Sequence, residues 1–127
     1  MKPVSRPLCQ ALAAAGLAPS LAAPAGAADD KSYNLATRLG ASIEKCWIAS
    51  KDPAFASYIY SPEPNATGGP RILLVPRKTP TGAPSLVVQV TEGGNHVSVF
   101  GALATSAAAP RIGADLKRWI NGGEGCS

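Results

Sequence analysis

The chain has few of the residue types that most catalytic and metal sites need. It contains a single histidine, His96, and it has no Gly-x-Ser-x-Gly motif. A zinc site needs three or four ligands, and a Ser–His–acid triad needs a histidine beside a serine and a carboxylate. Only Glu92 lies near His96 in the sequence. We therefore predict no catalytic residue, no metal ligand and no cofactor, and we expect the protein not to be an enzyme.

A strong excess of positive charge and a supply of aromatic side chains are lacking as well. The chain has 12 basic and 8 acidic residues, and 6% of its residues are aromatic. Its longest basic clusters are the pairs Arg77-Lys78 and Lys117-Arg118. Nucleic-acid-binding proteins concentrate basic residues on one face and use aromatic rings as stacking platforms. We predict no nucleic-acid partner.

The N-terminal segment is the one long stretch of small and apolar residues. Lys2 and Arg6 precede an alanine- and leucine-rich run that ends in Ala-Gly-Ala at 25–27. This order is typical of a cleavable export signal. We predict a signal peptide over 1–27 and a single α+β domain over 28–127. The expected location is therefore periplasmic or secreted.

A membrane anchor is the alternative interpretation of the same segment. Residues 8–27 are mostly apolar, but they contain Pro19, Pro24 and many alanines. A membrane helix needs about 20 strongly apolar residues. We therefore expect no stable membrane insertion after the signal is cleaved.

Hydrophobic periodicity predicts two helices and four strands after the signal. Leu35, Leu39 and Ile43 recur at the spacing of one helix face, whereas Leu86, Val88 and Val90 alternate as in a strand. Glycines between the last two strands favour a hairpin, and Pro110 favours the start of the second helix. The predicted helices span 32–48 and 110–120, and the predicted strands span 55–60, 71–75, 86–91 and 96–100.

This order predicts an α+β fold with a four-stranded antiparallel meander sheet, flanked by an N-terminal and a C-terminal helix. Cys9 would leave with the signal, so two cysteines remain in the exported domain. Cys46 lies near the end of the first helix and Cys126 just beyond the second. Because exported thiols tend to pair, we predict a Cys46–Cys126 disulfide.

Aromatic residues provide the candidate partner surface. Trp47 and Trp119 lie on the apolar stripes of their helices, which favours packing in the core. If Ile59 faces the core, Tyr58 and Tyr60 both face away from it. Such an exposed aromatic strip is typical of a protein-binding surface. The predicted partner is an envelope protein.

The run Ile43-Glu44-Lys45-Cys46-Trp47, followed by a strand meander, resembles the C-terminal domains of TolA and TonB from envelope energy-transducing systems. The resemblance implies a related α+β fold, sometimes with a disulfide, and transfers no functional residue.

The sequence therefore predicts a small exported protein that acts as a non-enzymatic binding or accessory domain. Two alternatives remain open at this point. One is an envelope interaction domain like those of TolA and TonB, and the other is a small secreted hydrolase or inhibitor.

Overall fold

The computed structural model describes residues 30–127, together with Pro3 and Gly16. The predicted signal peptide, Cys9 included, therefore lies outside the described residues. The described chain forms one antiparallel sheet and two helices, in the order helix, four strands, helix. The elements are α1 (Asp30–Ile43), β1 (Tyr58–Glu63), β2 (Arg71–Pro76), β3 (Leu86–Val90), β4 (Val97–Phe100) and α2 (Ala109–Ile120). The predicted α+β fold is confirmed.

The first helix does not end as a regular α-helix. It continues as a π-helical segment over Glu44–Ala49, where the prediction had one uniform helix to residue 48. A π-turn inserts one extra residue, which shifts the side chains that follow around the helix axis. Cys46 and Trp47 are both buried, three and four residues after the buried Ile43. The inward face of the first helix therefore continues through the π-helical segment.

The first strand lies three residues later than predicted. The prediction of 55–60 was wrong because Phe55 is an apolar residue of a turn rather than of the strand. Phe55 is fully buried and stacks on Trp47, with ring centroids 4.6 Å apart and an interplanar angle of 10°. Core packing therefore accounts for the hydrophobicity of Phe55, and β1 extends instead through Pro62 to Glu63.

The four strands pair in chain order, β1-β2-β3-β4, all antiparallel. Leu86, Val88 and Val90 are almost completely buried and form the centre of the core, as predicted. The first helix contacts β2, β3 and α2. The buried side chains of α2 belong to the same core cluster as the inner-face residues of β3. The sheet therefore has one face covered by helices, as expected for an antiparallel sheet with alternating polarity.

The C-terminal part differs from the prediction in two details. A short 3₁₀ turn, Ala102–Thr105, lies in the segment that was predicted to be coil, and it buries Leu103. The second helix begins at Ala109, one residue before the prediction, and has Pro110 in its first turn.

None of the described helices is long and apolar enough to cross a membrane.

The two ends of the fold are joined by the predicted disulfide. Cys46 and Cys126 are bonded, their Cα atoms lie 5.2 Å apart, and they are separated by 80 residues in the sequence. Closing a loop of this length stabilises a fold by about 4 kcal/mol in the chain-entropy account. The bond ties the end of the first helix to the tail that follows the second.

Candidate functional site

The titratable residues weighed in the sequence analysis stay largely apart. His96 is exposed and precedes β4, and Glu92 is exposed in the same hairpin. The contact of His96 with the sheet comes from its carbonyl oxygen, which accepts a hydrogen bond from the Thr91 backbone N–H at 2.9 Å. Among residues 30–127, no group of three or more His, Cys, Asp and Glu side chains is placed to hold a metal ion.

The two tyrosines of β1 have the opposite orientation to the one expected. Ile59 is exposed, whereas Tyr58 and Tyr60 are half-buried and pack against the core. The expected orientation was wrong because β1 starts later and faces the helices with its even-numbered residues. Burial, followed by repulsion from Glu44, raises the pKa of Tyr60. A role of Tyr58 and Tyr60 in partner binding stays a prediction, but they do not form an outward aromatic strip.

A buried carboxylate at the centre of a polar network is the main feature that sequence reasoning missed. Asp115 on α2 is fully buried. Its Oδ2 accepts a hydrogen bond from Trp47 Nε1 at 2.8 Å, and its Oδ1 accepts one from Arg118 at 2.8 Å. The Ser127 hydroxyl donates a third at 3.3 Å, and Arg111 Nε lies 3.6 Å from Oδ2. We call this set the Asp115 network.

Arg111 connects the Asp115 network to a second carboxylate. Its guanidinium forms an ion pair with Asp52, in the loop after the first helix, and lies over the ring of Phe55 at 5.4 Å from the centroid. The pKa of Asp52 is lowered, first by the hydrogen bond from the Ala54 backbone and then by Arg111. Asp52 and Asp115 are thus brought near each other, with a guanidinium between them.

The pKa of Asp115 is set by opposing effects. Desolvation is the largest influence and raises it, but hydrogen bonds from Trp47, Arg118 and Ser127, with the positive charge of Arg118, outweigh desolvation and lower it. A carboxyl group that stays ionised cannot deliver a proton as a general acid at neutral pH. The geometry of the Asp115 network therefore suits structural stabilisation.

One sequence signal could have located this network. Ile112, Asp115, Leu116 and Trp119 follow the i, i+3, i+4, i+7 spacing of one helix face. A carboxylate among apolar residues on that face must be buried, and a buried charge requires partners.

An apolar groove lies between β4 and α2. Its volume is about 540 Å³, within the range of about 300–1,000 Å³ that is typical of ligand pockets. Val97 and Val99 form one wall, and Ile112, Leu116 and Ile120 contribute to the other. We call it the β4–α2 groove.

Side chains at the β4–α2 groove are more exposed than sequence reasoning expected. Ile120 follows Ile112 and Leu116 on the apolar stripe of α2, where burial is expected, but 36% of its surface is exposed. Val99 in the groove is 38% exposed, and Phe100, on the opposite face of β4, is 49% exposed. Large apolar side chains are thus accessible along the edge of the sheet.

Comparison of the chain with protein-family models, with curated proteins and with solved structures found no match. The resemblance to the TolA and TonB domains therefore stays a prediction, and the function must be inferred from the geometry of the chain itself.

Proposed function

We propose that the protein is an exported, non-enzymatic binding domain that recognises an extended peptide segment of another envelope protein. The peptide adds as a fifth strand to β4 and places side chains in the β4–α2 groove. One observation carries the proposal: an unpaired strand edge lies beside an open apolar groove. Strand addition combines these two elements, since main-chain hydrogen bonds supply affinity and pockets for alternate side chains supply specificity.

The free edge of β4 follows from the register of the sheet. Val90 of β3 lies opposite Val97, and the Thr91 N–H donates to the His96 carbonyl. In an antiparallel ladder, residues alternate between those that hydrogen-bond to the neighbouring strand and those that do not. Val97 and Val99 therefore direct their backbone N–H and C=O groups away from β3. Within the described residues, β4 pairs with β3 alone.

The same two valines also line the groove, so peptide backbone and peptide side chains would be recognised at one place. A paired peptide would direct every second side chain toward Ile112, Leu116 and Ile120. Lys117 lies on the rim, where its charge favours an acidic residue in the peptide. The expected ligand has apolar residues at alternate positions and an acidic residue beside them.

The opposite edge of the sheet is less suited to this role. On β1 the odd-numbered residues pair with β2, as the hydrogen bond from Arg77 N–H to the Ser57 carbonyl indicates. Pro62 therefore faces the free edge of β1, where it has no N–H to donate. Proline on an edge strand is a common means of preventing strand addition. The absence of proline from β4 leaves that edge open.

Two further observations support export and a binding role. The disulfide is typical of proteins from oxidising compartments, in agreement with the predicted signal over 1–27. The ionised carboxylates of Asp52 and Asp115 are both engaged by Arg111. The two carboxylates are therefore not arranged as an acid–base pair.

The test is a titration of the oxidised, isotope-labelled domain 28–127 with a short peptide that alternates valine and threonine and carries one glutamate. We expect saturable amide shifts confined to β4 and α2, with slowed hydrogen exchange at Val97 and Val99. Val99→Pro removes an edge N–H without removing a bond to β3, so binding should be lost while the fold is retained.

The matched control is Ile59→Thr, which removes an exposed apolar side chain on the other edge strand and should leave binding unchanged. Shifts that map elsewhere, or equal binding by Val99→Pro, would contradict the proposal. Concentration-dependent dimerisation through β4 in sedimentation experiments would also contradict it, because the occupant would then be a second copy of the chain.

A further inference from the structure

We propose a second binding site, for phosphate or a phosphomonoester, in the cleft between α1 and residues 122–125. We call it the tail cleft. It has a volume of about 330 Å³ and lies on the other side of α2 from the β4–α2 groove, since Trp119 rather than Ile120 lines it. The inference is independent of the proposed peptide site.

One wall of the tail cleft is a polar face of the first helix. Arg38, Ser42 and Lys45 line the cleft at i, i+4 and i+7. Lys45 belongs to the π-helical segment that continues α1, so all three side chains reach the cleft from the first helix, with Ser42 between the two cations in the sequence. An anion in the cleft would be approached by two positive charges and a hydroxyl from the same side.

The other wall is held in place by several bonds. The Gly125 carbonyl accepts hydrogen bonds from Trp119 Nε1 at 2.9 Å and from Arg118 at 3.1 Å. The disulfide fixes the next residue, Cys126, to the first helix. The cleft is therefore formed before a ligand arrives, and little conformational entropy is lost on binding.

Within the described part of the chain, the two cations of the tail cleft are not engaged by a carboxylate. Arg71, Arg111 and Arg118 each form an ion pair with a carboxylate. Among the described residues, neither Arg38 nor Lys45 forms one. Their charges are available to an external anion.

The hydroxyl of Ser42 is available in the same way. Inside a helix, a serine or threonine hydroxyl commonly donates to the carbonyl four residues earlier. Thr37 and Ser50 do so, to Tyr33 at 2.9 Å and to Cys46 at 2.7 Å. Ser42 is half-buried and makes no hydrogen bond within the described part of the chain. It can donate to a ligand.

These donors fit phosphate better than a single carboxylate. A guanidinium group presents two parallel N–H donors that match two phosphate oxygens, and an ammonium and a hydroxyl can reach the remaining oxygens. Glu124 lies on the glycine-rich wall and opposes anion binding. We therefore expect weak, salt-dependent binding that becomes tighter when Glu124 is neutralised.

The test is a titration of the oxidised domain with inorganic phosphate, monitored through the amide chemical shifts. The ionic strength is held constant, and a parallel titration with chloride serves as the reference. We expect saturable shifts in α1 and residues 122–125. The double variant Arg38→Gln with Lys45→Gln removes both positive charges and should weaken phosphate binding at least about tenfold. The variant Ser42→Ala should weaken it about threefold. Glu124→Gln should tighten it by about threefold.

The matched control is Lys51→Gln with Lys78→Gln, which removes the same charge from exposed positions outside the cleft. The affinity of this double variant for phosphate should equal that of the unmodified domain. Non-saturable shifts, or equal weakening by the control, would overturn the proposal. Glycerol phosphate and vesicles that contain phosphatidic acid both carry a phosphomonoester and distinguish the sources: binding of the first alone indicates a soluble phosphomonoester, and binding of the second indicates a lipid headgroup.

Discussion

Replacing Asp115 by asparagine removes the charge at the centre of the Asp115 network while nearly preserving volume. The carboxamide keeps one acceptor oxygen, which suffices for Trp47 or for Arg118 but not for both. Its NH₂ group must then face a donor. Arg111 and Arg118 are left without the carboxylate that they share.

The size of the expected loss in unfolding free energy follows from the burial of Asp115. Removing one partner of a buried ion pair typically costs about 3–5 kcal/mol, because the remaining charge is left without compensation. Asp115 is fully buried, but the side chains of Arg111 and Arg118 are 32% and 34% exposed. Water therefore screens part of the loss. We expect Asp115→Asn to lower the free energy of unfolding by about 3 kcal/mol, the lower end of that range.

Urea titration followed by tryptophan fluorescence measures this loss directly. Trp47 donates to Asp115, and the ring of Trp119 lies 5.4 Å from that of Trp47. Both tryptophans therefore report on the region that the substitution changes. Glu92→Gln neutralises an exposed carboxylate and should change stability by less than about 0.5 kcal/mol. A loss below about 1 kcal/mol in Asp115→Asn would refute the reasoning.

The same variant has a predicted pH dependence. The pKa of Asp115 is lower in the folded protein than its ordinary value of 3.8. Its contribution to stability is therefore complete above that value and is lost as the pH falls through the folded pKa. The difference in unfolding free energy between the unmodified protein and Asp115→Asn should be constant near neutral pH and shrink at strongly acidic pH. A difference that grows on acidification would contradict the assignment.

Two other predictions use the same urea titration. Replacing Cys46 and Cys126 together by serine should lower the free energy of unfolding by about 4 kcal/mol, and unchanged stability would contradict the loop-closure argument. Gly113→Ala should stabilise α2 by up to about 1 kcal/mol, because an added Cβ meets no atom within 4 Å. Gly69→Ala should destabilise by at least about 2 kcal/mol, since its φ is +127° and the Cβ collides with the Val90 carbonyl. Equal effects at the two glycines would refute this comparison.

Local patterns in the sequence carry much of the fold. β3 was predictable because Leu86, Val88 and Val90 alternate in a run with no competing period. The second helix was predictable because Pro110 and the glycines after Asn121 bound one apolar stripe. The disulfide followed from the predicted export and from the placement of Cys46 and Cys126 near the predicted helix ends.

Features that depend on tertiary packing were not predictable. The π-helical segment Glu44–Ala49 has no local signal, because Cys46 and Trp47 follow Ile43 at the spacing of a regular helix face. Phe55 has the composition of a strand residue but stacks on Trp47 from a turn. This displacement moved the start of β1 and reversed the expected orientation of Tyr58 and Tyr60.

The candidate sites were missed for a related reason. A groove forms where no other part of the fold covers the side chains. The local sequence around Ile120 is the same whether α2 is enclosed or borders a groove. The edge position of β4 was implied by the meander, because the last strand of a meander has one neighbour. What the sequence lacked was the position of α2 relative to that edge.

The position of α2 links the polar network to the proposed peptide site. Asp115 holds one side of the helix against Trp47, and Ile120 on the other side borders the β4–α2 groove. Because α2 is only 12 residues long, the contacts on one side restrict its movement on the other. The disulfide adds a covalent limit just beyond its end. A buried ionised network is therefore well placed to keep the groove open, a function that apolar packing at Asp115 would serve less specifically, since hydrogen bonds fix orientation as well as distance.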